Sequence, residues 1–359
     1  MNLRKLFLGV LTVLCIIGTS LSASAKEKVI LSADMVDLFD DGVAMLLMAK
    51  SPEVELLGVT TVIGNTWVET GTASAIRQLE GINRTDIPVF NGMNVCTRGG
   101  RIESMMLEKE LFGRGADPHC GAGGYPRPAS WEAAYRENYG EEPTVLPQSK
   151  SGVDFIIDTV KANPNEVTIV AIGTYNNLAM ACRRAPEIVP LIKRVVYMGG
   201  AFFCNGNVMP SAEFNIWMDP EAARFVWRQP FKEQVIFPLD ACEKIWFTKE
   251  RYDKLAGMIP SPFFRKMFAN HWAAGSFKAD PNYHTFVWDV LCAAYVIDPS
   301  IITKEETLPV DVNDVYGPTY GETLAYRGQG PLGSQKARIV FEVNEAKVWE
   351  QVEALFRSL

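Results

Sequence analysis

Residues 29–44 read Val29-Ile-Leu-Ser-Ala-Asp-Met-Val-Asp-Leu-Phe-Asp-Asp-Gly-Val-Ala44, and the fold is decided there. Residues 28–31 have the apolar, β-branched look of a buried strand, and 42–50 predict a helix. Between them stand four carboxylates, Asp34, Asp37, Asp40 and Asp41, within eight residues. Gathered carboxylates repel one another, so a fold that collects them has a use for a cation or for acid–base chemistry. Where a parallel strand hands over to a helix, they would face the crevice in which open α/β sheets bind ligands. Asp40 and Asp41 can also be read as caps of the helix that follows, since Asp favours a helix start.

Outward from this stretch, strand-like runs alternate with helical ones. Strands are expected at 54–62, 87–90, 167–172, 194–198 and 234–239. Helices are expected at 68–81, 153–162, 177–185, 220–228 and 290–297. Such alternation indicates βαβ units, hence an open α/β fold with a mostly parallel central sheet flanked by helices. Residues 93–150 break the rhythm, being rich in Gly, Pro and Arg, and read as a long irregular loop over the site. From residue 309 the pattern turns β-rich, and an amphipathic helix at 346–358 closes the chain.

The first residues carry Arg4 and Lys5, an apolar run over 6–17 and Ala23-Ser24-Ala25, the marks of a cleaved signal peptide. The expected organisation is a signal peptide over 1–25 and one domain over 26–359, exported to the periplasm or beyond the cell with no stable membrane anchor. Cleavage would remove two basic residues and move the formal charge from −7 to −9. An acidic chain without basic clusters excludes nucleic acid polymers as partners. Only three histidines occur, and no Cys-x-x-Cys, so a structural zinc site is not expected. Cys96 and Cys120 are the one candidate disulfide pair, while other cysteines sit in apolar stretches and read as buried thiols.

Four segments share the habit of following a strand and ending in small polar or acidic residues. They are Asp34 to Asp41, Thr61-Val-Ile-Gly-Asn65, Ala171-Ile-Gly-Thr-Tyr-Asn-Asn177, and Met198-Gly-Gly200 leading to Asn207 and Ala212-Glu-Phe-Asn215. A fifth, Trp288-Asp289, opens the helical run at 290–297. In a parallel sheet these strand ends meet on one edge. Carboxylates and amides with hardly any Lys or His describe a site for a hydroxyl-rich neutral ligand and a hard cation, calcium or magnesium. Carbonyls and amides in the donor set favour calcium. Taken alone, Asn65 and Asn177 could equally be turn residues, Met198 a core residue and Trp288 a core aromatic.

The chain resembles the nucleoside hydrolase family, the inosine-uridine-type nucleoside N-ribohydrolases. Members open with Asp-Thr-Asp-Pro-Gly-x-Asp-Asp or, in one branch, with a form two residues longer carrying Met after the second Asp. Ser32-Ala33-Asp34-Met35-Val36-Asp37-Leu38-Phe39-Asp40-Asp41 resembles the longer form. Gly58 to Asn65, Ala171 to Ala179, Met198-Gly-Gly200 and Gly206-Asn-Val-Met-Pro-Ser-Ala-Glu-Phe-Asn-Ile-Trp-Met-Asp-Pro220 follow in family order.

The resemblance implies calcium held by Asp34, Asp41, Asp289 and the backbone carbonyl of Asn176, with Asp34 also taking the proton of the attacking water. It implies Asp40 and Asn215 on the ribose 2′- and 3′-hydroxyls with Asn65 nearby, Asn207 and Glu213 on the 5′-hydroxyl, and Met198 under the sugar. Carboxylates around the ring suit an oxocarbenium-like transition state. The implied partners are a small nucleoside and further copies of the chain, as a dimer or tetramer.

Three positions depart from the pattern. Ser32 replaces the first Asp of the family motif, behind the metal ligands. Val36 and Asp37 replace residues that are usually small, and the resemblance leaves Asp37 without a role. Trp288 stands where one branch has a His that protonates the leaving base, and a large indole favours stacking on a two-ring base, hence purine nucleosides. A leaving-group acid could instead come from His119, His271 or His284, each read first as a surface residue, with His284 the best placed. The alternative to hydrolysis is a ribose- or nucleoside-binding protein that kept the pocket and lost turnover. A phosphatase with an Asp-x-Asp nucleophile and an EF-hand loop both fail on the spacing of the acids.

Overall fold

The computed structural model describes residues 25–359, so the expected signal peptide lies outside the described residues except for Ala25. Eleven strands form in chain order: β1 (Glu27–Ala33), β2 (Val54–Thr61), β3 (Val89–Asn91), β4 (Val167–Ala171), β5 (Arg194–Met198), β6 (Gln234–Phe237), β7 (Trp246–Thr248), β8 (His284–Phe286), β9 (Ile302–Val312), β10 (Thr323–Ala325) and β11 (Gln335–Val343). Nine of them make one sheet in the order β10-β9-β11-β6-β5-β4-β1-β2-β3, and β7 and β8 pair separately. From β3 to β6, and on to β11, every neighbour pair is parallel; β9 and β10 add an antiparallel edge.

The order reverses at β1, which lies between β2 and β4 although β4 follows in sequence more than a hundred residues later. Such a switch point opens a crevice at the carboxyl ends of the strands. Register puts the three motif-bearing ends level: Ser32 pairs with Thr60 of β2 and with Ala171 of β4. The central strands are buried along their length, as Val- and Ile-rich parallel strands must be when helices cover both faces. Among the described residues no helix is long and apolar enough to cross a membrane.

Residues 93–150 are not the irregular loop expected. They contain the helices Arg101–Phe112 and Trp131–Tyr139 and a 3₁₀ turn at Gly121–Gly124. The first is rich in Met, Leu, Glu and Lys, strong helix formers that outweigh the flanking glycines. The second starts on Ser130, whose hydroxyl accepts the Ala133 N–H at 3.2 Å. All six described cysteines are free, so the expected Cys96–Cys120 bond does not form. Both belong instead to the apolar cluster around Met105 and Trp217, where the Cys120 thiol leans on the Pro118 carbonyl at 3.6 Å.

A buried ion pair within the first of these helices docks it on Trp217 of the helix Phe214–Met218. Arg101 and Glu108 meet at 2.6 Å with side chains only 1% and 0% exposed. Arg101 also donates to the Trp217 carbonyl at 2.5 Å, and the Trp217 indole N–H donates to Glu108 at 3.1 Å. Removing one partner strands the other charge in an apolar setting. Glu108→Ala is therefore expected to lower unfolding stability by about 3–5 kcal/mol. A denaturant midpoint that barely moves would show that this pair does not hold the insertion.

Candidate active site

Asp34 stands at the end of β1, buried between the turns that follow β2 and β4. Gly64 and Gly173 line those turns, and a Cβ on either would collide with the Asp34 carboxylate. The small residue in each Ile-Gly motif is thus a steric requirement of the acid beside it. Asp34 Oδ2 accepts the Asn65 N–H at 2.6 Å, and the Asn65 side-chain amide donates to Asp41 Oδ2 at 3.1 Å. Asp34 Oδ1 and Asp41 Oδ1 are buried with no partner.

Asp40 turns to a different helix from the one it begins. Its Oδ2 accepts the N–H groups of Trp288 and Asp289 at 2.7 and 2.8 Å, and its Oδ1 that of Val290 at 3.2 Å. The carboxylate so closes the start of the helix Val290–Ile297 and fixes Asp289 next to the cluster.

Electrostatics make this a costly assembly. Burial raises the Asp34 carboxyl from 3.8 to about 6 and that of Asp40 to about 7, against the pull of their N–H partners. Asp41 and Asp289 are pushed well above the usual range, first by burial and then by the neighbouring carboxylates. Among the described residues none of the four accepts a hydrogen bond from Lys or Arg. Such groups stay charged only with a counter-ion close by.

The donors present fit a hard divalent cation. They are carboxylates and an amide, and two carboxylate oxygens, Asp34 Oδ1 and Asp41 Oδ1, are orphaned in the cluster. Asn176 begins the helix Asn176–Arg184; its Nδ2 donates to Val95 and Asp219, while its Oδ1 is also buried and unpartnered. Among the described residues, no three His, Cys, Asp or Glu side chains already surround one point at chelating distance. The carboxylates stand in poses set by N–H donors and mutual repulsion, and a cation here would draw in carbonyls and water as well.

Beyond β5 lies a second group. Met198 is buried, and the Asn215 amide donates to its carbonyl at 3.3 Å and to that of Ile172 at 2.9 Å. Glu213 starts the helix Phe214–Met218 and accepts the N–H groups of Asn215, Ile216 and Gly200 at 2.8, 3.1 and 3.0 Å. Burial still lifts its carboxyl to about 7. Asn207 Oδ1 accepts the N–H groups of Val208 and Phe214 at 2.9 and 3.0 Å, folding its own turn.

The insertion reaches these residues directly. The Asp117 N–H donates to the Asn207 carbonyl at 2.8 Å, and that of Ala122 to the Gly64 carbonyl at 2.8 Å. Lys109 holds the Asp117 and His119 carbonyls at 3.0 and 2.5 Å. Sequence reasoning missed Lys109 and the Arg101–Glu108 pair, although the run of helix formers over 101–112 was the available signal.

Of the three histidines read first as surface residues, only His284 is exposed. It is stacked on Trp246 at 4.1 Å, with Phe286 between it and Trp288. His271 is buried among Phe39, Phe247 and Phe268, and burial lowers it to about 4. His119 is partly buried against the Phe214 ring at 4.9 Å. Trp288 is half-buried, edge-on to Phe39 and Phe286 at 6.1 and 6.0 Å. Ser32, the departure behind the cluster, accepts from Asn177 Nδ2 at 3.1 Å, and Asn177 Oδ1 accepts the Met93 N–H at 2.7 Å. The position therefore still carries a hydrogen bond.

Known proteins resemble this chain. The family described as inosine-uridine preferring nucleoside hydrolase matches residues 29–350. The pyrimidine-specific ribonucleoside hydrolase RihB of Escherichia coli strain SMS-3-5 is 32% identical over 355 residues, spanning 93% of this chain and 98% of that protein. The RihB protein of Shigella sonnei strain Ss046 gives the same figures. A plant nucleoside hydrolase, PpNRh1, superposes with a TM-score of 0.75 at 25% identity, covering 93% of this chain and 99% of its own. The purine-preferring ribonucleoside hydrolase of Gardnerella vaginalis, at 24% identity and a TM-score of 0.71 over 92% of this chain and 99% of its own, shares the fold. With its acidic cluster at the switch point and relatives matched almost end to end, the chain belongs to the inosine-uridine preferring nucleoside hydrolases and hydrolyses the N-glycosidic bond of ribonucleosides.

Proposed function

We propose that hydrolysis here depends on calcium held by Asp34, Asp41, Asp289 and the backbone carbonyl of Asn176. The observation that carries this is the pair of buried, partnerless oxygens, Asp34 Oδ1 and Asp41 Oδ1, in a cluster that among the described residues accepts no hydrogen bond from Lys or Arg. A bound divalent cation supplies charge compensation and polarises the water that attacks.

Asp34 takes the proton of that water as its oxygen bonds to C1′ of the ribose. The C1′–N bond breaks, and its electron pair leaves with the base. Asp40 and Asn215 hold the 2′- and 3′-hydroxyls, Asn65 stands beside them, Asn207 and Glu213 hold the 5′-hydroxyl, and Met198 lies under the sugar. Asp40 already accepts three N–H groups, yet a carboxylate has about four acceptor sites and keeps one for a hydroxyl. The ring of carboxylates favours the positive charge that develops on the sugar.

Trp288, lacking an acidic proton, acts by stacking on the base and so favours purines. The E. coli relatives are named for pyrimidines, which makes base choice the sharpest question to put to this chain. Export through the signal peptide at 1–25 and assembly into a homo-oligomer complete the reading.

Asp34→Ala should lower kcat for inosine by about a hundredfold or more, read as release of reducing sugar. Retention of activity would remove Asp34 from its role. Across inosine, guanosine, uridine and cytidine, purines should lead in kcat/KM, and Trp288→Ala should cut that lead by about two- to tenfold. Pyrimidines in front would overturn the assignment of Trp288.

The raised carboxyls also set a pH trend. Without a cation, the folded chain keeps protons on them that the unfolded chain has lost, so their contribution to stability falls as pH rises from about 4 to about 7. A cation requires them ionised. The gain in Tm from calcium over chelator should therefore widen from about pH 6 to about pH 8. A gap that is absent or narrows would count against a cation in this cluster.

A further inference from the structure

Asp37 is the acid of the opening run for which the family pattern has no role, and its contacts supply one. The loop between β1 and the helix Asp40–Lys50 bends at Leu38, whose φ of +36° lies in the left-handed region that branched side chains rarely adopt. Backbone of this kind persists only where its surroundings over-determine it.

Two neighbouring helices do so. Gln78, buried in the helix Val68–Gly81, accepts the Leu38 N–H on Oε1 at 3.0 Å and donates from Nε2 to the Val36 carbonyl at 3.2 Å. The Asp37 carboxylate accepts the Ser74 hydroxyl at 2.5 Å and the Tyr139 hydroxyl at 2.8 Å on Oδ1 and 2.9 Å on Oδ2. Ser74 shares its helix with Gln78, whereas Tyr139 ends the helix Trp131–Tyr139 of the insertion. Arg77 lies over the Tyr139 ring at 5.3 Å and donates to the Tyr135 hydroxyl of the same helix at 3.1 Å.

The chemistry suits a carboxylate. Both partners are hydroxyl donors, and an ionised acid accepts only, so each bond is charge-assisted. Asp37 is also placed to govern the cluster, three residues after Asp34 and three before Asp40. A shift of this loop would turn the orphan oxygens of Asp34 and Asp41 away from a shared cation.

We propose that Asp37 is a positioning residue for the metal site: gripped by Tyr139 and Ser74, it fixes the acidic loop so that Asp41 stays beside Asp34, from where both can close on a cation. The insertion thereby reaches the metal as well as the sugar. This rests on the reading that the acidic cluster binds calcium.

The test is calcium titration by calorimetry of the metal-free chain and of Tyr139→Phe, Ser74→Ala and Asp37→Ala, with kcat and KM for a cleaved nucleoside. Tyr139→Phe removes one hydroxyl and keeps the ring, so it carries the test if Asp37→Ala does not fold. Weakening of the calcium Kd by about tenfold or more in Tyr139→Phe, with kcat restored by excess calcium and KM near that of the unaltered chain, is expected. A Kd within about twofold of the unaltered chain in both hydroxyl variants, even with a lowered Tm, overturns the proposal and leaves Asp37 a purely structural anchor. If the unaltered chain binds no calcium, the metal reading falls and this proposal with it; binding that the variants do not disturb sinks the proposal alone.

Discussion

Four carboxylates buried together, with no Lys or Arg donating to them among the described residues, are the constraint on which the rest of this molecule depends. Asp34, Asp40, Asp41 and Asp289 are each at most 5% exposed; burial acts against the ionised form of every one, and neighbouring carboxylates add to it at Asp40, Asp41 and Asp289. A fold tolerates such a centre only by surrounding it with N–H donors and by bringing in a compensating charge. The parallel sheet provides the first. Its switch point aligns the ends of β1, β2 and β4, so that turns after two strands close on the acid that follows the third.

Asp40 shows how closely chemistry and fold are joined. As the first residue of one helix it points at the start of another, Val290–Ile297, and binds three successive N–H groups there. That contact spans some 250 residues of chain and sets Asp289 against Asp41. The helix-start preference of Asp is satisfied, but across the tertiary structure rather than along the sequence. Ser32 is a parallel case. Its hydroxyl and the Thr60 hydroxyl both meet Asn177, so a lost carboxylate behind the cluster is replaced by a neutral network that adds no further negative charge.

The insertion binds together the turns around the site. Its first helix is locked by the Arg101–Glu108 pair onto Trp217, two residues beyond Asn215; its middle touches the Asn207 and Gly64 carbonyls; its last helix reaches Asp37. Buried charge is poor evidence of net stability, yet it is selective about geometry, since only the docked helix lets Arg101 reach the Trp217 carbonyl and Glu108 the Trp217 indole N–H. The same segment thus contacts the Asn207 turn, the turn beside Asp34 and the acidic loop.

Much was legible from sequence alone. Period and composition placed β4, β5 and the helices Val68–Gly81 and Val290–Ile297 to within a residue, because parallel strands buried on both faces leave unbroken Val and Ile runs. The acids, amides and glycines at strand ends were readable as a site because their residue types have little other use there. The insertion was misread, since the Gly- and Pro-rich run over 113–126 at its centre masked two helices on either side whose stability comes from docking. By itself, then, the sequence determined the parallel α/β class, the convergence of the motifs and the identity of the acidic centre, all of which follow from local pattern. Only the tertiary structure decided which helix Asp40 would cap, that Cys96 and Cys120 would stay apart, and that Asp37 would be held by Tyr139. These pairings join residues far apart in the chain, and their energies depend on burial and direction, which no local pattern encodes.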